Sequence, residues 1–178
     1  MKRLLLTGLA AAVFGTAQAQ PKSDWEQKLE ESEWKEGDVK LPELPKPENL
    51  IEFEATKASS FRFFVDSKSL DVGGGVVRYT LVARSQSGSE SISFDGLRCK
   101  TNSHRLYATA RTEKTWSRIR DSQWRDLQPK TVTRQHFALM RDFFCPGSVA
   151  ILSRDEGVDA LRRGIHPNAI SNHTNFAR

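Results

Sequence analysis

Apolar and polar side chains alternate along residues 61–111, and this alternation predicts an antiparallel meander. In its central strand the bulky apolar residues occupy every second position: Val77, Tyr79, Leu81 and Ala83 alternate with Arg78, Thr80 and Arg84. Only a period of two places all the bulky groups on one face and the charges on the other. We therefore predict a half-buried strand, bounded by turns at residues 73–75 and 85–89, which are rich in glycine and serine.

The alternation changes phase inside the next strand. Ile92 and Phe94 share one phase, whereas Leu97 and Cys99 share the other. The change falls at Asp95 and Gly96. A glycine at such a point predicts a β-bulge.

Residues 105–111 form the following predicted strand. The pattern places Leu106, Ala108 and Ala110 inward, and Arg105, Tyr107, Thr109 and Arg111 outward. Small alanines leave room above the strand. The large side chains of Trp116 and Trp124 follow closely in the chain, and we expect them to cover that gap.

Two helices are predicted in the C-terminal third. Residues 135–144 bring Phe137, Met140 and Phe144 onto one helical stripe, ended by a Cys-Pro-Gly sequence. Ser153, with an acidic residue three positions later, predicts the start of the second helix, and Gly164 predicts its end. With two further strands within residues 51–65, the pattern predicts an α+β fold. We expect a single domain with an antiparallel sheet of about five strands, two helices and an extended N-terminal arm.

The first 19 residues resemble a signal peptide. Lys2 and Arg3 precede an apolar run at residues 4–14, and Ala17 and Ala19 stand where a signal peptidase requires small residues. We predict export to the periplasm with cleavage after Ala19. The apolar run is shorter than the roughly 20 residues of a membrane span, so we expect no transmembrane anchor.

Charge divides the remaining chain into two segments. Residues 20–50 hold nine acidic and five basic residues, whereas residues 51–178 hold 13 acidic and 20 basic residues. The first segment predicts a short helix beginning near Ser23 and then a proline-rich stretch that cannot continue it. That stretch is either a strap on the body or a docking ligand, and the strap is favoured. We predict a globular α+β domain over residues 51–178.

The chain has two cysteines, Cys99 and Cys145. An even number of cysteines in an exported chain favours one disulfide. Metal binding by these thiols is the weaker interpretation, because the chain lacks Cys-x-x-Cys spacing and two thiolates do not complete a zinc site.

No motif of nucleophilic catalysis is present, and no catalytic residue is assigned. The four histidines (His104, His136, His166 and His173) lie too far apart in sequence to form a helical metal-binding pair, so we predict neither a metal nor a cofactor. Carboxylates of a hydrolase cannot be recognised by spacing, and Asp66, Asp71 and Asp95 remain unsupported candidates.

Arginine is abundant near the predicted sheet. Arg78, Arg98, Arg105 and Arg111 form a possible face for an anionic partner, since guanidinium groups suit planar anions. A solvated strand face also uses arginine and is the favoured interpretation. Because an exported protein is separated from the nucleic acids of the cell, we predict no nucleic-acid partner.

Several of these residues also resemble a known family, the cryptic neisserial protein-like family. The resemblance rests on residues 64–66, 69–70 and 72–82, on the Gly-Leu-Arg-Cys sequence at 96–99, and on Trp116 and Trp124. It extends to Asp24 and Trp25 and to the second cysteine. The resemblance implies an exported protein of Gram-negative proteobacteria without an assigned activity, and it supplies no catalytic residue.

The sequence therefore predicts a protein of the cell envelope that binds rather than catalyses. Its partner would be an anionic envelope component or an envelope protein. The alternative is a small envelope hydrolase with unidentified carboxylates. The ligand and the oligomeric state are not predicted.

Overall fold

The structure, a computed structural model, describes residues 23–24, 33–56, 59–110, 115–128, 130 and 133–169. The chain divides into two units, Met1–Glu36 and Gly37–Arg178. In the first unit Asp24 and Glu33 are helical. The rest of the predicted N-terminal helix and the predicted signal peptide lie outside the described residues.

In the described part of the second unit the antiparallel sheet has eight strands rather than about five. The strands are β1 (Leu50–Phe53), β2 (Phe61–Asp66), β3 (Asp71–Gly73), β4 (Val76–Ser85), β5 (Glu90–Arg98), β6 (Ser103–Ala110), β7 (Trp116–Arg118) and β8 (Arg125–Asp126). The main path runs β1-β2-β4-β5-β6-β7, with β3 on β4 and β8 on β6. Strands β3, β7 and β8 have only two or three residues, too few to show a period in the sequence.

The two longer helices among the described residues pack with this sheet and confirm the α+β class; short 3-10 helices span Pro47–Asn49 and Pro146–Ser148. Helix α1 is α-helical over Arg134–Ala138 and π-helical over Leu139–Phe144. Helix α2 spans Arg154–Arg163. As predicted, the Ser153 hydroxyl accepts a hydrogen bond from the Glu156 amide, and Gly164 ends α2 with a left-handed φ of 79°.

The first core lies between the sheet and the helices. Its sheet residues fall at alternate positions and its helical residues come from both helices: Phe53, Phe63, Val65, Val77, Tyr79, Leu81, Leu97, Leu139, Met140, Phe143, Phe144 and Leu161. These side chains remove a large apolar area from water, which is the main force that stabilises the unit.

The opposite face of the sheet carries a second, smaller core. Phe94, Tyr107 and Ala108 form it. Trp116 packs on Phe94 with ring centroids 6.2 Å apart, and Trp124 packs on Tyr107 at 6.3 Å, so both tryptophans cover the strand as predicted.

Because both faces are covered, β4 is not half-buried. Its first seven residues are all buried, Arg78 and Thr80 among them. A bulge is present at the predicted point of the sheet, because the pairing of β5 with β6 shifts register between Phe94 and Asp95, whereas β5 keeps its regular pairing with β4. Phe94 contributes to the second core and Leu97 to the first, so apolar residues occur in both phases.

The extra residue of the bulge lies in β6 rather than in β5. Phe94 pairs with Ala108 and Asp95 with Leu106, so Tyr107 is the extra residue of a bulge. The bulge moves Leu106 onto the face opposite that of Ala108. The predicted set of inward residues on this strand is therefore corrected: Ala108 faces the second core, whereas Leu106 shares a face with Asp95.

The predicted disulfide is present and joins Cys99 to Cys145. Cys99 directly follows β5 and Cys145 directly follows α1, with Cα atoms 5.3 Å apart. The bond therefore ties the central sheet to the end of the first helix.

Part of the proline-rich stretch packs on the second core. Val39 and Leu41 contact it, and the Trp116 indole donates a 2.8 Å hydrogen bond to the Pro42 carbonyl. These contacts favour a strap over a free docking ligand for residues 39–42. The assignment of residues 20–50 as a separate segment stays a prediction.

Candidate functional site

Three side chains of metal-ligand type meet on the helix-bearing face of the sheet. Asp95 comes from β5, His104 from β6 and His136 from α1. One ligand atom of each lies within 4.8 Å of the ligand atoms of the other two. We call this group the Asp-His-His cluster.

The carboxylate of Asp95 is the most buried member, with 1% of the residue exposed. His104 Nε2 lies 2.8 Å from Asp95 Oδ1, and the Ser93 hydroxyl donates a hydrogen bond to Oδ2. A buried carboxylate is costly unless its oxygens are paired or hydrogen-bonded. Both oxygens of Asp95 have such a partner.

The His136 ring lies against the His104 ring, with centroids 4.1 Å apart. On its other side the Tyr79 hydroxyl lies 2.8 Å from His136 Nδ1. Burial lowers the pKa of His136 from 6.5 to about 4. The Asp95 carboxylate raises this pKa and His104 lowers it, both less strongly than burial does. The imidazole of His136 is therefore neutral at physiological pH.

Tyr79 is fully buried beneath the cluster. Burial raises the pKa of its hydroxyl well above the ordinary value, and the nearby Asp95 carboxylate raises it further. The phenol therefore stays neutral and can either donate to or accept from His136 Nδ1.

The sheet register explains why these residues converge. Tyr79 of β4 pairs with Asp95 of β5, and residues opposite each other in a sheet share a face. The bulge at Tyr107 then places His104 opposite Leu97, which is also on the helix-bearing face. Without the extra residue, the side chains of β6 beyond it would exchange faces.

A cavity of about 410 Å³ opens beside β6 and β8, with His104 in its wall. Leu106, Ile119 and Leu127 supply apolar surface. Four charged residues of both signs also line it: Asp121, Arg125, Asp126 and Lys130. The His104 side chain is 18% exposed, so it links the cavity to the buried members of the cluster.

The arrangement offers a ligand-sized space beside two imidazoles and a carboxylate. Such groups can hold a proton or a divalent cation. The prediction of no metal rested on histidine spacing along the chain. That spacing could not reveal the cluster, because its members lie far apart in sequence and the sheet and α1 bring them together. Asp95, a charged residue between the apolar residues of β5, was the one local indication of the cluster.

The four predicted arginines do not form one free surface in the described part of the chain. Arg78 is buried and donates to Asp71 at 3.0 Å. Arg105 lies over the Tyr107 ring and donates to the Ser122 hydroxyl at 2.9 Å. Arg98 is half-buried with contacts of its own, and Arg111 lies outside the described residues. An anionic partner at these four residues stays a prediction.

Of the three unsupported carboxylate candidates, only Asp95 belongs to the cluster. Asp71 is exposed and pairs with Arg78. Asp66 is buried, and burial raises the pKa of its carboxyl, although the Lys68 amide donates to it. Val65 faces the first core, so its neighbour Asp66 points to the other face of the sheet.

Fold and site together define an α+β protein with a two-sided antiparallel sheet and a polar cluster beside a ligand-sized cavity. The sequence pattern of the CNP1-like family matches residues 29–162, and the chain belongs to that family. The matched stretch includes the Asp-His-His cluster and both cysteines. No curated protein and no solved structure matches the chain. Within the described residues, no helix has the length and apolarity needed to cross a bilayer.

Proposed function

We propose that this chain is an exported protein of the cell envelope that binds a small envelope-derived molecule in the cavity beside His104. The export part rests on the signal-peptide pattern of residues 1–19 and the Cys99–Cys145 disulfide, which is typical of oxidising compartments. The same pattern supports a periplasmic location. From the resemblance of the sequence we also propose that the family comprises exported proteins of Gram-negative proteobacteria.

The observation that carries the binding proposal is the cavity itself. Its volume of about 410 Å³ lies within the range of small-molecule sites. Apolar surface from Leu106, Ile119 and Leu127 stands beside charged groups of both signs. Such a lining suits an amphipathic molecule whose ionised group lies near Arg125 or Lys130.

The geometry supports binding more than hydrolysis. A hydrolase with two carboxylates requires that both approach one substrate bond. Among the described residues the two buried carboxylates are Asp66 and Asp95. The first points away from the helix-bearing face and the second lies on it, so this pair cannot act on one bond. Binding is therefore the proposed activity.

The experiment uses protein recovered from a cell-envelope fraction. Its intact mass should match a chain that begins at Gln20. The probe is the amphipathic anion 1-anilinonaphthalene-8-sulfonate, whose fluorescence rises when it enters an apolar site. We expect saturable binding to the native protein. Gln128→Trp should abolish it, because Gln128 lines the cavity and is itself exposed, so a large side chain blocks the space without disturbing the core.

The matched control is Gln86→Trp, which adds the same side chain to the exposed turn between β4 and β5. This variant should bind the probe as the unaltered protein does. Equal loss in both variants, or equal binding in both, would overturn the assignment of the cavity. A full-length form confined to the cytoplasm would overturn export.

A further inference from the structure

We propose that the Asp-His-His cluster binds one divalent transition-metal ion of the zinc type, with Asp95, His104 and His136 as its protein ligands. The site would use two imidazole nitrogens and one carboxylate oxygen. Three protein ligands of this kind leave at least one position open for water or a ligand.

The spacing of the ligand atoms carries this proposal. Zinc bonds to nitrogen and oxygen of about 2.0–2.2 Å place neighbouring ligand atoms of a tetrahedral site roughly 3.3–3.6 Å apart. The three ligand atoms already lie within 4.8 Å of one another, and His104 Nε2 and Asp95 Oδ1 are 2.8 Å apart. Side-chain shifts of about 1 Å would therefore form the site.

Further contacts hold two of the three ligands in place. The Ser93 hydroxyl donates to Asp95 Oδ2, and the Tyr79 hydroxyl lies 2.8 Å from His136 Nδ1. Outer hydrogen bonds of this kind orient ligands in metal sites. His136 also lies three residues before the π-helical part of α1 begins at Leu139, and π-helical turns occur often at functional sites.

His104 gives the ion a route to the cluster. It is the partly exposed member of the cluster and stands in the cavity wall. A metal ligand must present a lone pair, so His104 Nε2 would carry no hydrogen when the ion is bound: a neutral imidazole would hold its one hydrogen on Nδ1, and an imidazolium would release one proton to solvent. This inference rests on the proposed function only for the entry route, because metal binding needs no organic ligand.

The test is a titration of the untagged, oxidised envelope protein with Co²⁺, whose visible absorption reports its ligands. We expect one ion per chain, displaced by added Zn²⁺. His104→Ala should weaken binding by roughly 100-fold or more, because it removes a ligand where loss of an outer contact alone costs about 10–100-fold. His166→Ala is the matched control and should bind Co²⁺ normally, because His166 pairs with Glu156 and is not a member of the cluster.

A second measurement holds even if His104→Ala fails to fold. Zn²⁺ added to the unaltered protein should shift the imidazole nitrogen resonances of His104 and His136 in the NMR spectrum. Unshifted resonances, or equal Co²⁺ affinity in the His104→Ala variant, would overturn the metal site. Neither result bears on 1-anilinonaphthalene-8-sulfonate binding, so the cavity proposal is judged separately.

Discussion

At the scale of single residues, the sheet interior contains polar groups whose surroundings differ sharply. Asp95 has partners for both carboxylate oxygens. Thr80 is fully buried, and its hydroxyl is the one buried side-chain polar atom without a hydrogen-bond partner among the described residues. A buried polar group without a partner loses its hydrogen bonds to water and gains nothing in return.

Replacing Thr80 by valine should therefore stabilise the protein. Valine keeps the branched shape and removes the unpaired hydroxyl, while the Thr80 amide still donates to the Ser69 hydroxyl at 2.7 Å. We expect the free energy of unfolding to rise by about 1 kcal/mol. Urea unfolding of the oxidised protein measures this.

Thr101→Val is the comparison for that measurement. The Thr101 hydroxyl is 2.7 Å from the Ser103 hydroxyl, so the same replacement removes a hydrogen bond. This variant should be less stable than the unaltered protein. If Thr80→Val also loses stability, then the Thr80 hydroxyl has a partner and the interpretation of this position is wrong.

At the scale of secondary-structure elements, the bulge in β6 shapes both faces of the sheet. It directs the Tyr107 ring over Gly96, against Phe94 with centroids 5.5 Å apart. It also sets His104 on the face of Asp95. One extra residue therefore completes the second core and the polar cluster together.

Gly96→Ala tests this arrangement. A Cβ atom at Gly96 would lie 2.5 Å from the Tyr107 hydroxyl oxygen and 2.9 Å from its ring, closer than van der Waals contact allows. We expect a loss of stability of about 1–3 kcal/mol, as for overpacking of a core. Gly73→Ala should change stability little, because no heavy atom lies within 4 Å of its added Cβ. Thermal and urea unfolding measure the stability of both variants.

A double-mutant cycle assigns the cost to the ring. With Tyr107→Ala in place, the added methyl group at Gly96 has room, so Gly96→Ala should cost much less than in the unaltered protein. The same cost in both backgrounds would show that the strand backbone, rather than the tyrosine, excludes a side chain at this position.

At the scale of the whole molecule, the second unit combines two cores of unequal size on one sheet. The larger core packs against the helices, and the smaller one is covered by Trp116, Trp124 and the strap. The Cys99–Cys145 bond closes a loop of 46 positions across the larger core. A cross-link of this kind stabilises mainly by restricting the unfolded chain.

Reduction should therefore destabilise the whole unit. For a loop of this length we expect the free energy of unfolding to fall by roughly 4 kcal/mol in the chain-entropy model. That is a large share of the total for a small domain. Urea unfolding with and without reductant measures the loss, and the Cys99→Ala/Cys145→Ala variant should not respond to reductant. Two reactive thiols in the unfolded, non-reduced protein would contradict the bond.

The sequence by itself determined the features that depend on neighbouring residues. The Ser153 cap, the Gly164 helix end and the strand at β4 follow from local patterns, and the structure contains each of them. The disulfide was also predictable, because two cysteines allow a single pairing. Local patterns are reliable here since capping, left-handed turns and strand periodicity are set within a few residues.

Only the tertiary structure decided which faces are buried and what lies on them. Phe94 and Leu97 are both buried because each face of the sheet has a core. The apolar pattern of one strand cannot show that both faces of the sheet are covered. Asp95, His104 and His136 meet because strand pairing, one bulge and the packing of α1 bring distant positions together. Such contacts depend on long-range register, which no local sequence pattern specifies.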